Sequence, residues 1–150
     1  MDLSRIAPDA YRKLAQLESI IAPHIEPKLL HLLKLRASQI NGCAYCIAMH
    51  THEALQDGES PIRLTSLDAW EESDRFEERE RVLLRWVDEV TLIATTRASA
   101  GAFADLKSHF DESEIGWLTM AIVTINSWNR VAIASRAQYR TTERKAQLSN

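Results

Sequence analysis

Apolar residues along this chain recur at intervals of three and four rather than two, the spacing of helices that bury one face. With only four glycines and four prolines as punctuation, the pattern predicts an all-α fold. Pro8 opens a first helix over 8–22, with Tyr11, Leu14, Leu17 and Ile21 inward. Pro27 suits the first turn of a second, over 27–41, with leucine at 29, 30, 32, 33 and 35. Asn41-Gly42 supplies a left-handed stop, and a third helix runs from near Cys43 to Asp57-Gly58. Ser60-Pro61 reads as N-cap and N1 of a short helix to about Thr65, followed by a loop over 68–74 that carries Trp70. Asp74 is then placed to cap a long amphipathic helix with Leu83, Trp86, Val87 and Val90 inward. A smaller helix covers 100–109. Asp111-Glu112-Ser113-Glu114 forms a capping box, stapled by Phe110 and Ile115, that opens a last helix to about Tyr139. Residues 140–150 read as a polar, frayed tail. No linker or clear repeat divides the chain, so residues 1–150 are expected to form a single domain.

The leucines of the second helix cover nearly all its sides. A helix apolar all round must be buried all round, and a second subunit would supply the missing cover, so a homo-oligomer is expected. Composition is that of a soluble globular domain long enough to bury a core, at 45% hydrophobic and 26% charged. The net charge of −3 and the scatter of basic residues give no footprint for nucleic acid. No apolar run approaches the roughly 18–20 residues that cross a bilayer, so no membrane partner is expected. The start, MDLSRIAPDA, shows no basic-then-apolar secretory pattern, and the expected compartment is the cytoplasm. There a lone C-x-x-C is more often catalytic or metal-binding than a structural staple.

Both cysteines of the chain, Cys43 and Cys46, lie in one C-x-x-C, with His50 four residues further on. On a helix all three share a face. Residues three apart on a helix are separated by about 5 Å at Cα, inside the disulfide window of roughly 4.4–6.8 Å. Cys43 falls in the first turn, where free N–H groups favour an anion. Cys46 lies one turn from His50, which can take its proton and return one to a leaving oxygen. That spacing selects Cys46 as the attacking thiol and Cys43 as the resolving one, since Cys43 is two turns from His50. Two other readings stand beside this one. Zinc would need four ligands, with His31 or His52 joining Cys43, Cys46 and His50. Alternatively, the cysteines are plain apolar core residues. Covalent haem attachment is excluded, because C-x-x-C-H needs histidine where Ile47 stands.

The run Ser38-Gln39-Ile40-Asn41-Gly42-Cys43-Ala44-Tyr45-Cys46-Ile47-Ala48-Met49-His50 resembles the core motif of the alkyl hydroperoxidase D (AhpD)-like group of the carboxymuconolactone decarboxylase superfamily. Arg75-Phe76, Glu80-Arg81 with Trp86, and Ile125-Asn126-Ser127-Trp128-Asn129-Arg130 are similar to its second-half landmarks, so the resemblance spans about 27–138. It implies an AhpD-like helical bundle, commonly a dimer, trimer or hexamer. The implied activity is a thiol peroxidase with a hydroperoxide substrate, a dithiol reductant and no cofactor beyond a redox-active Cys43–Cys46 disulfide. The decarboxylase branch lacks the cysteine pair. Two positions depart from the family motif. Its relay glutamate, twelve residues before the first cysteine, is here His31, and its histidine between the cysteines is Tyr45. Either His31 relays protons itself or a carboxylate from elsewhere does, with Glu80 the candidate. Arg130 is expected to pair with Glu80 or Glu89, and Trp86 and Trp128 to pack. His24, His52 and His109 read as surface residues. The rival function is a non-catalytic redox sensor or interaction protein that uses the same disulfide.

Overall fold

The computed structural model describes residues 1–139, and among them no strand forms. The helices are α1 (Leu3–Ile6), α2 (Pro8–Ile21), α3 (Pro27–Ile40), α4 (Ala44–Gln56), α5 (Pro61–Ser66), α6 (Glu78–Thr91), α7 (Ile93–Thr96), α8 (Ala100–His109) and α9 (Glu112–Ser135). Short 3-10 turns follow α2 and α5, at Ala22–His24 and Leu67–Ala69. The fold is the expected all-α bundle.

Helix α3 is its axis, packed against α4, α6 and α9. Leu29 and Leu33 join a core with Leu83, Val87, Leu106, Ile122 and Ile125 of α6, α8 and α9. On the other side Leu32 and Leu35 meet Ala54, Leu64, Leu67, Trp70, Phe76 and Leu84. The chain's own helices therefore cover Leu29, Leu32, Leu33 and Leu35 and part of Leu30, so these leucines do not by themselves call for a second subunit.

Where α3 ends, the N–H of Gly42 bonds the carbonyl of Gln39 and that of Cys43 bonds the carbonyl of Ser38, both at 3.0 Å. These are the two bonds of a Schellman stop, with Gly42 at φ +65° as its left-handed residue. The reversal takes two residues and sets α4 against α3. Further on, Asp111 and Glu114 cap α9 reciprocally as expected, and Phe110 and Ile115 pack into one core.

Other expectations shift. Glu77, not Asp74, caps α6, because the Glu80 side chain reaches back to accept the Glu77 N–H at 2.9 Å. Helix α9 stops at Ser135, where Arg136 turns left-handed at φ +60°, short of Tyr139. Tyr11 is 38% exposed rather than inward, its ring edge against Trp128 at 5.0 Å. Among the described residues Arg130 makes no carboxylate pair. It is exposed and bonds the Asn126 carbonyl and side-chain oxygens at 2.8 and 2.9 Å. α1 and α7 are each one turn long, too short to show a period. The expected tail over 140–150 lies outside the described residues. Among the described residues no helix is long and apolar enough to cross a membrane.

Glu80 shows what anchors the α6 end of the bundle. Its carboxylate is buried and bonded to Arg63 at 2.8 Å and Lys28 at 2.9 Å. Burial, the largest influence, raises its pKa, but the bonds from Arg63, the Glu77 N–H and Lys28 together hold the carboxyl below its usual range. A depressed carboxyl adds stability above its unfolded pKa, and that stability is lost as pH falls through the folded value. Glu80→Gln should thus lose about 2 kcal/mol at pH 7, the scale of hydrogen bonds to a charged group. The gap to wild type should narrow at pH 3 in urea unfolding. Equal stability at pH 7 would contradict this role.

Candidate active site

The stop at Gly42 makes Cys43 the N-cap of α4, in extended backbone at φ −85°, ψ 92°. Its Sγ accepts the Cys46 N–H at 3.4 Å, the capping role more often played by a serine or aspartate oxygen. Both cysteines are free thiols, 1% and 2% exposed, with their sulfurs 2.9 Å apart. Ala132 of α9 shares their small buried cluster. Of the pair, Cys46 opens onto a cavity of about 470 Å³ and Cys43 sits behind it. Tyr11, Tyr45, Met49 and Trp128 give that cavity apolar and aromatic walls, and His50 and Glu53 add a polar corner.

Burial pushes the Cys46 thiol up to about 12, and its hydrogen bond with Cys43 pushes the same way, while the polar side chain of Asn129 opposes them. The sequence suggested a lowered Cys46 beside His50. Instead, no hydrogen bond joins His50 to Cys46 among those of the described residues, although both line the cavity. His50 is buried, with Nδ1 bonded to Glu53 Oε2 at 2.8 Å. That bond is the main reason the Glu53 carboxyl lies below its usual range. An ionised Glu53 can only accept, so Nδ1 carries the hydrogen and Nε2 is the ring nitrogen that can act as a base.

The structure thus brings Cys43, Cys46 and His50 together and leaves two candidates outside. Glu80 is held by Arg63 and Lys28 and does not line the cavity. His31 bonds Asp57 Oδ2 through Nε2 at 2.7 Å and borders a different depression, with Lys28, Ala54 and Glu59. The carboxylate beside the histidine is Glu53, which the sequence reading passed over. Its signal was present: Glu53 is three residues after His50, on the same helical face. The zinc alternative finds no ligand set. His31 is engaged with Asp57, His52 is exposed, and among the described residues no three His, Cys, Asp or Glu side chains gather as a metal site.

Comparison with known proteins agrees with this arrangement. The sequence profile of the carboxymuconolactone decarboxylase family matches residues 8–89. The uncharacterised protein YdfG of Bacillus subtilis is 36% identical over 130 residues, covering 86% of this chain and 88% of its own. A crystal structure from Agrobacterium tumefaciens, of a protein of unknown function described as a candidate antioxidant defence protein AhpD, superposes with a TM-score of 0.91 at 42% identity. That match covers 94% of this chain and 97% of the other. The debrominase Bmp8, solved with 2,3,4-tribromopyrrole, shares the fold at 20% identity and a TM-score of 0.77, over 93% of this chain and 75% of its own. With its cysteine pair on α4, this chain belongs to the carboxymuconolactone decarboxylase family and is an AhpD-like member of it.

Proposed function

We propose that the protein is a cytoplasmic thiol peroxidase that reduces organic hydroperoxides, uses an external dithiol as reductant and needs no cofactor beyond its own disulfide. The observation that carries this reading is the division of labour in the dithiol: Cys46 faces the cavity beside an oriented His50, and the Cys43 sulfur waits 2.9 Å behind. The antioxidant-defence description of the Agrobacterium relative supports it.

In the first step His50 Nε2 takes the Cys46 proton and the sulfur attacks the distal oxygen of R–O–OH. The O–O bond breaks, and the departing RO⁻ takes the proton from His50 to leave as ROH. Cys46 is now a sulfenic acid. Cys43 attacks its sulfur, the S–S bond forms and the hydroxyl leaves as water with the Cys43 proton. A dithiol reductant then exchanges with the disulfide and restores both thiols. A thiol with a pKa of about 12 is ionised to about one part in 10⁵ at pH 7, so attack has to be coupled to proton removal. The proton crosses through the hydroperoxide O–H, or a water, seated between Cys46 and His50. Glu53 holds the ring for this and stabilises the imidazolium that forms.

We further propose a homo-oligomer that uses α9, whose solvent side exposes Met120 and Val123 one turn apart. A solution mass of 17.0 kDa at micromolar concentration would contradict that.

After one equivalent of peroxide, Cys43→Ser should hold a trappable sulfenic acid and Cys46→Ser should not. The reverse pattern would exchange the two roles. His50→Ala should slow peroxide reduction roughly 10²-fold, and Glu53→Gln roughly tenfold, the range of a general acid–base group and its orienting partner. Glu80→Gln should turn over at the wild-type rate. Wild-type rates in His50→Ala across pH 5–8 would remove it from the mechanism.

A further inference from the structure

The cavity onto which Cys46 opens is far larger than a hydroperoxide group needs. At about 470 Å³ it falls among small-molecule pockets, which span roughly 300–1,000 Å³. A water has a share of liquid volume of about 30 Å³, so hydrogen peroxide would meet only one corner of it. Helix α9 turns one stripe of side chains towards the cavity: Trp128, Val131, Ala132 and Ser135, the spacing of a single helical face. Ala132 belongs to the buried cluster of the two cysteines, and Trp128 stands one turn before it, about 6 Å along the helix. Tyr11 of α2 meets the Trp128 ring edge-on, with centroids 5.0 Å apart and planes at 72°. Neither ring resembles a core aromatic. Trp70 and Trp86 are buried, and their Nε1 groups donate to Asp88 at 3.2 Å and to Thr119 Oγ1 at 3.1 Å. Trp128 is only half-buried and Tyr11 is exposed, and both line the cavity.

Charge narrows the occupant further. The charged side chains that line the cavity are Asp2, Glu18 and Glu53 against Lys34, and Glu18 holds Lys34 in an ion pair. The Met1 ammonium also lines it, bonded to the Ser135 carbonyl at 3.0 Å. With His50 in the base form that attack requires, acids still outnumber cations, and a carboxylate on the substrate would be repelled. We propose that Tyr11 and Trp128 are specificity-determining residues, a two-ring seat for the apolar group of a neutral, bulky hydroperoxide whose O–OH end reaches Cys46. Hydrogen peroxide reaches the same sulfur without touching either ring, so the seat discriminates by size as well as by charge. That the seated molecule is a hydroperoxide rests on the peroxidase reading; the seat itself does not.

The test begins with unreactive alcohols, the products that such substrates would leave, and needs no turnover. 2-Phenyl-2-propanol and tert-butanol differ only by a phenyl in place of a methyl, and their binding to the full chain is measured by ligand-observed NMR titration. The wild-type chain should bind the phenyl alcohol about tenfold more tightly, the scale of burying a ring of that size. The 4-carboxylate of the same alcohol should bind more weakly than the neutral form. Trp128→Ala should reduce the preference for phenyl about tenfold and Tyr11→Ala about threefold, as the loss of aromatic contacts. Tyr11 is exposed, so its variant keeps the test open even if Trp128→Ala does not fold. Ile133→Ala trims the solvent side of α9, away from the cavity, and should keep the wild-type preference. In turnover, cumene hydroperoxide should exceed hydrogen peroxide about tenfold in kcat/KM, a margin that Trp128→Ala loses through KM rather than kcat. The binding pattern without turnover would support the seat and count against the peroxidase reading alone. Equal affinity for the two alcohols in wild type, tighter binding of the carboxylate, an unchanged preference in either ring variant, or an equal loss in Ile133→Ala would overturn the proposal.

Discussion

The left-handed turn at Asn41-Gly42 is the constraint on which the site depends. It closes α3 by taking up two of its last carbonyls, and in the same stroke it makes Cys43 the N-cap of α4. Gly42 stands at φ +65°, a conformation that any side chain with a Cβ strains to adopt. From there geometry follows in steps of one helical turn. Cys46 is one turn into α4, His50 two, and Glu53 nearly three, so thiol, base and orienting carboxylate share a face. The same turn places Ser38 and Asn41 against α9, and through Asn129 the two ends of the chain are locked around the dithiol.

The electrostatics of that site are a compromise. Burying two thiols side by side stabilises the neutral forms, which is why the Cys46 thiol rises to about 12. A thiol raised in this way is a weak nucleophile unless its proton is removed as it attacks. In the proposed mechanism, reactivity comes from the cavity side, where Glu53 holds the His50 ring. The helix N-terminus serves the other sulfur, through the Cys46 N–H that meets Cys43.

Where local chemistry decides, the sequence was legible. The capping box at Asp111, the Gly42 stop and helix α8 depend on residues within a few positions of each other, and they stand where the spacing puts them. The cysteine pair and His50 were legible for the same reason. What failed depends on packing between distant segments. Glu80 looked like a relay carboxylate until Arg63 and Lys28 claimed it, and its backward reach moved the α6 cap from Asp74 to Glu77. The leucines of α3 do demand cover on every side, but periodicity cannot say whether that cover is the same chain or a second one. Glu53 was a different kind of miss, since a three-residue spacing from His50 was readable and went unused.

The central claim is that the buried pair turns over, with Cys46 oxidised by hydroperoxide and Cys43 closing the disulfide. Steady-state consumption of an organic hydroperoxide, with a small dithiol in large excess over protein, tests it most directly. The account predicts many equivalents of peroxide reduced per chain, abolished in Cys46→Ser. Consumption that stops after one equivalent per chain, despite fresh dithiol, would contradict it and leave the disulfide as a sensor.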